Sequence, residues 1–227
     1  MAERQAFTGF MPETADFLWG LTFHNERPWF EAHREEYTKY LLEPFRALAM
    51  ETDEQMRLRF PKAEFETHIS RIYRDARRLF GRGPYKDHLW FSMKTWSGKQ
   101  RWPEFWFELG AAQFRYGMGF FGSPRQMEVY RKNIEANPAR WERMARKLNR
   151  QSEFALVEDR YKRPKGDVGE LLNPWYNLRW VGFLHVEDFG EPLYDPVLPK
   201  RIAEGFAFLM PYCELLMEVV PPEEETE

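Results

Sequence analysis

Residues 66–88 read E-T-H-I-S-R-I-Y-R-D-A-R-R-L-F-G-R-G-P-Y-K-D-H and set Arg71, Arg74, Arg77, Arg78, Arg82 and Lys86 against Glu66, Asp75 and Asp87. The whole chain carries a formal charge of -3, so this positive charge is a local concentration. Guanidinium forks recognise phosphate or carboxylate in two-pronged fashion, and Lys86 beside Pro84 and Tyr85 adds a compact point charge. His68 and His88 bracket the block, Tyr73 and Tyr85 lie within it, and a Gly-Arg-Gly-Pro turn forms its centre. Such turns display groups to ligands. An anionic partner is the chemistry these residues call for.

Arginines at 71 and 74 fall on opposite faces of an extended strand, so at most one of them should face a given pocket. One face would then carry His68 and Arg74 with His88 and Lys94 of the next strand. The other would carry Arg71, Tyr73 and Asp75 with Ile69. A structural role competes with the functional one: Arg71 paired with Asp75, or Arg74 with a glutamate of the second helix, would tie sheet to helices.

The next two strands contribute aromatic rings. His88, Trp90, Ser92, Lys94 and Trp96 alternate on one, and Glu104, Trp106 and Glu108 on the other, which makes an aromatic surface rimmed by charge. Apolar content on both faces of these strands leads us to expect helices over this surface as well. The candidate ligand-binding set is therefore Arg71, Arg74, Asp75, Arg78, Tyr85, Lys86, His88, Trp90, Trp106 and Glu108. No catalytic pair is assigned. A general-base role for His68 or His88 near Glu108 requires adjacent strands.

Other motifs carry less. G-M-G-F-F-G (117–122) matches a dinucleotide fingerprint, but Met118 and two phenylalanines fill its gaps, so we read a strand exit with glycines at bends. The five histidines show no paired metal-ligand spacing, and Cys213, the sole cysteine, reads as a buried structural thiol. No G-x-S-x-G elbow, Walker loop or Ser-x-x-Lys is present. We expect neither metal nor cofactor.

These residues need a scaffold. Aromatic residues make up 17% of the chain, which marks a packed fold. Helical spacing predicts a helix capped by Thr14 to about Leu21, a second from Asn25 with Pro28 in its first turn, and a third from Pro44 to Arg59. Strands are predicted at 67–75, 88–96, 104–111 and from Ala112 or Gln113 to Met118, with a late strand at 178–186 able to join the same sheet. The turn S-G-K-Q-R-W-P would close the hairpin between the second and third. Helices follow at 124–136, where Ser123 is the cap, at 138–150 and at 199–219. This order predicts an α+β fold, a mainly antiparallel sheet packed with N-terminal, middle and C-terminal helices. One domain over 1–220 and a disordered acidic tail over 221–227 are expected. M-A-E-R-Q-A-F lacks the apolar run of a signal peptide and no run of 18 apolar residues occurs. We therefore expect a soluble, cytoplasmic protein without a membrane partner.

F-H-N-E-R-P-W-F-E-A-H-R-E-E-Y, I-S-R-I-Y-R-D-A-R-R-L-F-G-R-G-P-Y-K-D-H, F-W-F-E-L-G with Y-G-M-G, and R-Y-K-R-P-K-G occur in an order that resembles the bacterial and fungal family called domain of unknown function 2461. The resemblance runs from about Phe10 to Leu216 and is most specific at R-I-Y-R-D…P-Y-K. It implies a shared single-domain fold and no particular activity. Many relatives read R-F-S-K-D-K-T-P-Y-K where this chain reads R-R-L-F-G-R-G-P-Y-K, so the lysine of the middle loop is replaced by Arg82 or lost.

Two functions fit. In the first, a small anionic ligand sits on Arg71, Arg74, Arg78 and Lys86 in a pocket walled by Trp90, Trp106 and Tyr85. In the second, the basic block joins Arg160, Lys162, Arg163 and Lys165 in one patch for nucleic acid or an acidic protein. Convergence of the two basic segments on a concave aromatic site would favour the first, and spread over a convex surface the second. The mixture of Asp, Tyr and His with the cations favours the first. Reaction and oligomeric state are left open by the sequence.

Overall fold

The computed structural model describes residues 6–75, 77, 79, 81–95 and 102–220. Helices α1 (Pro12–Phe23), α2 (Arg27–Ala32) and α3 (Arg34–Glu36) lead through a π-helical turn, Tyr37–Leu42, into α4 (Glu43–Arg59). Strands β1 (Glu66–Ile69), β2 (His88–Lys94), β3 (Glu104–Gly110) and β4 (Gln113–Phe120) follow. After α5 (Pro124–Ala136) and α6 (Pro138–Leu148) come β5 (Ala155–Leu156), α7 (Asn173–Tyr176), β6 (Val181–Asp188), α8 (Glu191–Tyr194) and α9 (Leu198–Val219). The strands pair antiparallel in the order β1-β2-β3-β4-β6-β5, which gives the expected α+β fold.

Strand alternation puts Leu89, Phe91 and Met93, Phe105, Phe107 and Leu109, and Phe114, Tyr116, Met118 and Phe120 on one face, all buried. Helices cover that face. Phe45 of α4 meets Phe91 and Phe107 at ring-centroid distances of 5.9 and 6.0 Å, and Phe206 of α9 meets Phe105 at 5.1 Å. Trp175 of α7 lies against Phe183 at 5.5 Å and Trp141 of α6 at 6.2 Å. The opposite face, with Trp90, Trp106, Glu104, Glu108 and Arg115, stays partly open to solvent. The expectation that helices cover it is corrected: their apolar stripes are used up on the phenylalanine-rich face.

Other expectations shift locally. The first helix starts at Pro12, and Thr14 sits inside it with its hydroxyl donating to the Tyr40 carbonyl at 2.6 Å. Helical structure runs on through Pro44, with Glu43 N–H reaching Thr38 O, five residues back. Pro44 has no N–H to give to Tyr40 O, and the Thr14 hydroxyl supplies a donor there. Gly117 and Gly119 lie within β4, not at bends, whereas Ser123 does cap α5 by accepting from Gln126 N. The late strand is displaced to Val181–Asp188 and pairs with β4, and the two-residue strand β5 was not foreseen. Most of the 97–103 turn and the acidic tail lie outside the described residues.

Candidate functional site

β1 ends where its ladder is interrupted. Ser70 N donates to Trp90 O at 2.8 Å, but Trp90 N donates to the Ser70 hydroxyl at 3.0 Å, so a side chain occupies the carbonyl's usual place. Beyond Ser70 the chain leaves strict alternation. It is caught again by an antiparallel bridge between Tyr73 and Tyr85, with Lys86 N donating to Ile72 O and Arg74 N to Pro84 O. Ile72 and Tyr85 turn inward and are buried, Tyr85 stacked on Phe30 at 4.2 Å. Asn25 clamps the Tyr85 backbone from the helical side, accepting from its N–H and donating to its carbonyl, both at 3.0 Å. Gly83 permits this approach, since a Cβ there would lie 2.2 Å from the Asn25 amide oxygen.

The outward side chains line a hollow of about 690 Å³: His68, Ser70, Arg71, Tyr73, Arg74, Asp75, Arg82, Lys86, His88 and Trp90. Arg71 and Arg74 thus share one depression, against the expectation of opposite faces, because the break at Ser70 ends the two-residue period. Arg74 is the most held of its cations. It is 15% exposed, donates from Nε to Tyr85 O at 2.6 Å, and lies 3.5 Å from Asp87. Lys86 Nζ donates to Arg71 O at 2.7 Å and lies 5.8 Å above the Trp90 ring. Burial, then the charge of Arg74, pushes its pKa below the ordinary lysine value. Arg71 makes no side-chain hydrogen bond or ion pair among the described residues. The proposed structural pair with Asp75 is not formed; Asp75 binds Arg77 instead, at 2.8 Å.

A chain of charges leads from this hollow across the sheet. Asp87 accepts from His88 Nδ1 at 2.9 Å, and His88 Nε2 stands 4.0 Å from Glu108, which Arg115 grips at 2.5 and 2.8 Å. Burial works to raise the pKa of Asp87, but the His88 hydrogen bond and the Arg74 charge outweigh it and hold it below the usual aspartate value. An ionised carboxylate only accepts, so His88 Nδ1 is the donor in this contact.

Trp90 is shared with a second hollow, of about 440 Å³, lined by Trp90, Ser92, Glu104, Trp106, Glu108, Arg115, Phe121, Val157, Trp180 and Leu184. The two hollows adjoin at Trp90 as a groove of two parts on the open face, the part at the β1 end basic and the other aromatic. Of the predicted residues, Arg71, Arg74, Asp75, Lys86, His88, Trp90, Trp106 and Glu108 line it, Tyr85 belongs to the core, and Arg78 and Trp96 lie outside the described residues. Sequence reasoning missed Phe121, Trp180 and Arg115. Their signals were the aromatic next to Gly122, the tryptophan two before Gly182, and the alternation of β4.

The second basic segment is elsewhere. Arg160 bridges to Leu178, and Tyr161 lies between Lys165 and Arg131, at 4.4 and 5.3 Å from its ring. This segment follows β5, the edge farthest from β1, so roughly 24 Å of sheet separates the two basic stretches at about 4.8 Å per strand. A further hollow between α4 and β1 has its charges already engaged: Asp53 is bound by Arg57 at 2.6 Å and by Thr67 at 2.7 Å. Among the described residues no three metal-ligating side chains converge, and no helix is long and apolar enough to cross a membrane.

Fold and groove together define an α+β protein with a charged, aromatic furrow on the uncovered face of an antiparallel sheet. Residues 13–214 match the family described as conserved hypothetical protein, DUF2461, and the chain belongs to that family. No curated protein matches it.

Proposed function

We propose that the groove binds a small anionic ligand, with its phosphate or carboxylate held by Arg71, Arg74 and Lys86 and its body against Trp90 and Trp106. The observation that carries this reading is Arg71: a guanidinium on a concave wall, beside two further cations, without an ionic partner of its own among the described residues. Lys86 supports it, since a cation whose charge is disfavoured by burial and by Arg74 gains most from an arriving anion. The separation of the Arg160–Gly166 segment from this hollow counts against one continuous nucleic-acid patch.

The test is thermal unfolding against phosphate, pyrophosphate, sugar phosphates, dicarboxylates and a short oligonucleotide, for wild type, Arg71→Ala and Lys162→Ala. A ligand at a hundred times its Kd stabilises by about 2.7 kcal/mol. The expected result is a shift with a small anion, weakened at least about tenfold in affinity by Arg71→Ala and unaffected by Lys162→Ala. A shift with the oligonucleotide alone, equally sensitive to both variants and lost in about 200 mM salt, would overturn the reading in favour of a macromolecular partner.

A further inference from the structure

The aromatic half of the groove is built where glycines let two rings settle onto the sheet. On the open face, Trp106 of β3 stands opposite Gly117 of β4, Glu104 opposite Gly119, and Gly119 opposite Gly182 of β6. Beside the tryptophan and the carboxylate the sheet therefore presents glycines across two strands. Trp180 and Phe121 lie over that bare strip, stacked at 4.4 Å and 21°. A Cβ on Gly182 would come within 2.2 Å of the Trp180 ring, and one on Gly119 within 3.1 Å of Phe121. Trp180 is also fixed by its indole N–H, which donates to Asp159 at 3.0 Å. Seated on these glycines, Trp180 and Phe121 line the 440 Å³ hollow together with Trp106 and Trp90, an aromatic slot suited to something flat.

Its polar equipment is selective. Glu108 is already satisfied by Arg115, but the Glu104 carboxylate makes no hydrogen bond or ion pair among the described residues. A free carboxylate at the edge of an aromatic slot accepts from N–H groups in the plane of a stacked ring. The slot shares Trp90 as a wall with the Arg71–Arg74–Lys86 hollow. We infer that the ligand is a nucleoside phosphate, its base lying against Trp106 and the Trp180–Phe121 stack with an N–H edge on Glu104, and its phosphate among the cations. This rests on the anion-binding reading above, to which it adds the ring.

The experiment titrates GMP, UMP, ribose 5-phosphate and pyrophosphate into wild type, Trp106→Ala, Gly182→Ala and Glu104→Gln, reading calorimetric heat and tryptophan fluorescence. Base stacking predicts that GMP binds about tenfold to a hundredfold tighter than ribose 5-phosphate and quenches the fluorescence. Trp106→Ala should erase that margin by weakening GMP far more than ribose 5-phosphate. Gly182→Ala, which displaces Trp180 without removing a ring, should shrink it, and Glu104→Gln should weaken GMP more than UMP. Equal affinity for GMP and ribose 5-phosphate, insensitive to Trp106→Ala, would overturn the ring site and leave the anion site standing. Absence of binding by all four would overturn both.

Discussion

At the scale of the residue, the two central arginines do different work. Arg74 is largely buried and holds the Tyr85 carbonyl, whereas the exposed Arg71 side chain has no hydrogen bond or ion pair among the described residues. Arg74→Ala should therefore cost about 1–3 kcal/mol of stability, and Arg71→Ala within about 0.5 kcal/mol. At about 2–4 °C per kcal/mol for a chain of this size, differential scanning calorimetry separates the two, and equal melting temperatures would contradict the assignment. The charge types of the site were legible in the sequence, but their placement was not. Ser70 ends the strand by a side-chain hydrogen bond that no periodicity announces, which brings Arg71 round to Arg74. Tyr85 reads as a pocket residue because it sits among cations, yet it is buried and stacked on Phe30 of the helical layer. Trp180 is far from the block in sequence, and only the β4–β6 register brings it to the slot.

Among the elements, the helical entry is held by one hydroxyl. Thr14 is fully buried and donates to the carbonyl that Pro44 leaves without its usual helical partner. Thr14→Val keeps the shape and removes the donor, so it should destabilise by about 1–3 kcal/mol. Thr14→Ser should recover most of that, and urea unfolding of the three proteins measures it. A neutral Thr14→Val would show that the π turn satisfies Tyr40 by itself. Helices and strands were readable from their 3.6- and 2-residue periods, including the cap at Ser123. The edges were less so: β5 is two residues long and has no period to show, and the π turn replaces an expected break at Pro44 with continuous helix.

For the molecule as a whole, one thickly packed face leaves the other free. The packed side buries acids that ionise at high pH. Burial raises Cys213, Tyr37 and Tyr212 to about 12 from 9.0 and 10.0, and raises Tyr116 and Tyr130 as well. The unfolded chain releases these protons first, so stability is intact below the unfolded pKa values and falls as pH climbs from about 9 toward 12. The urea midpoint should hold to about pH 8 and drop steeply by about pH 11; a flat profile would mean these groups are not shielded. The open side bears the central claim, that a small anion binds among Arg71, Arg74 and Lys86. Calorimetric titration of pyrophosphate at low salt into wild type and Arg71→Ala tests it most directly. The account predicts saturable one-site binding, at least about tenfold weaker in the variant and fading at alkaline pH below the usual lysine range as Lys86 loses its charge. Identical isotherms for the two proteins, or no heat from either, would contradict it.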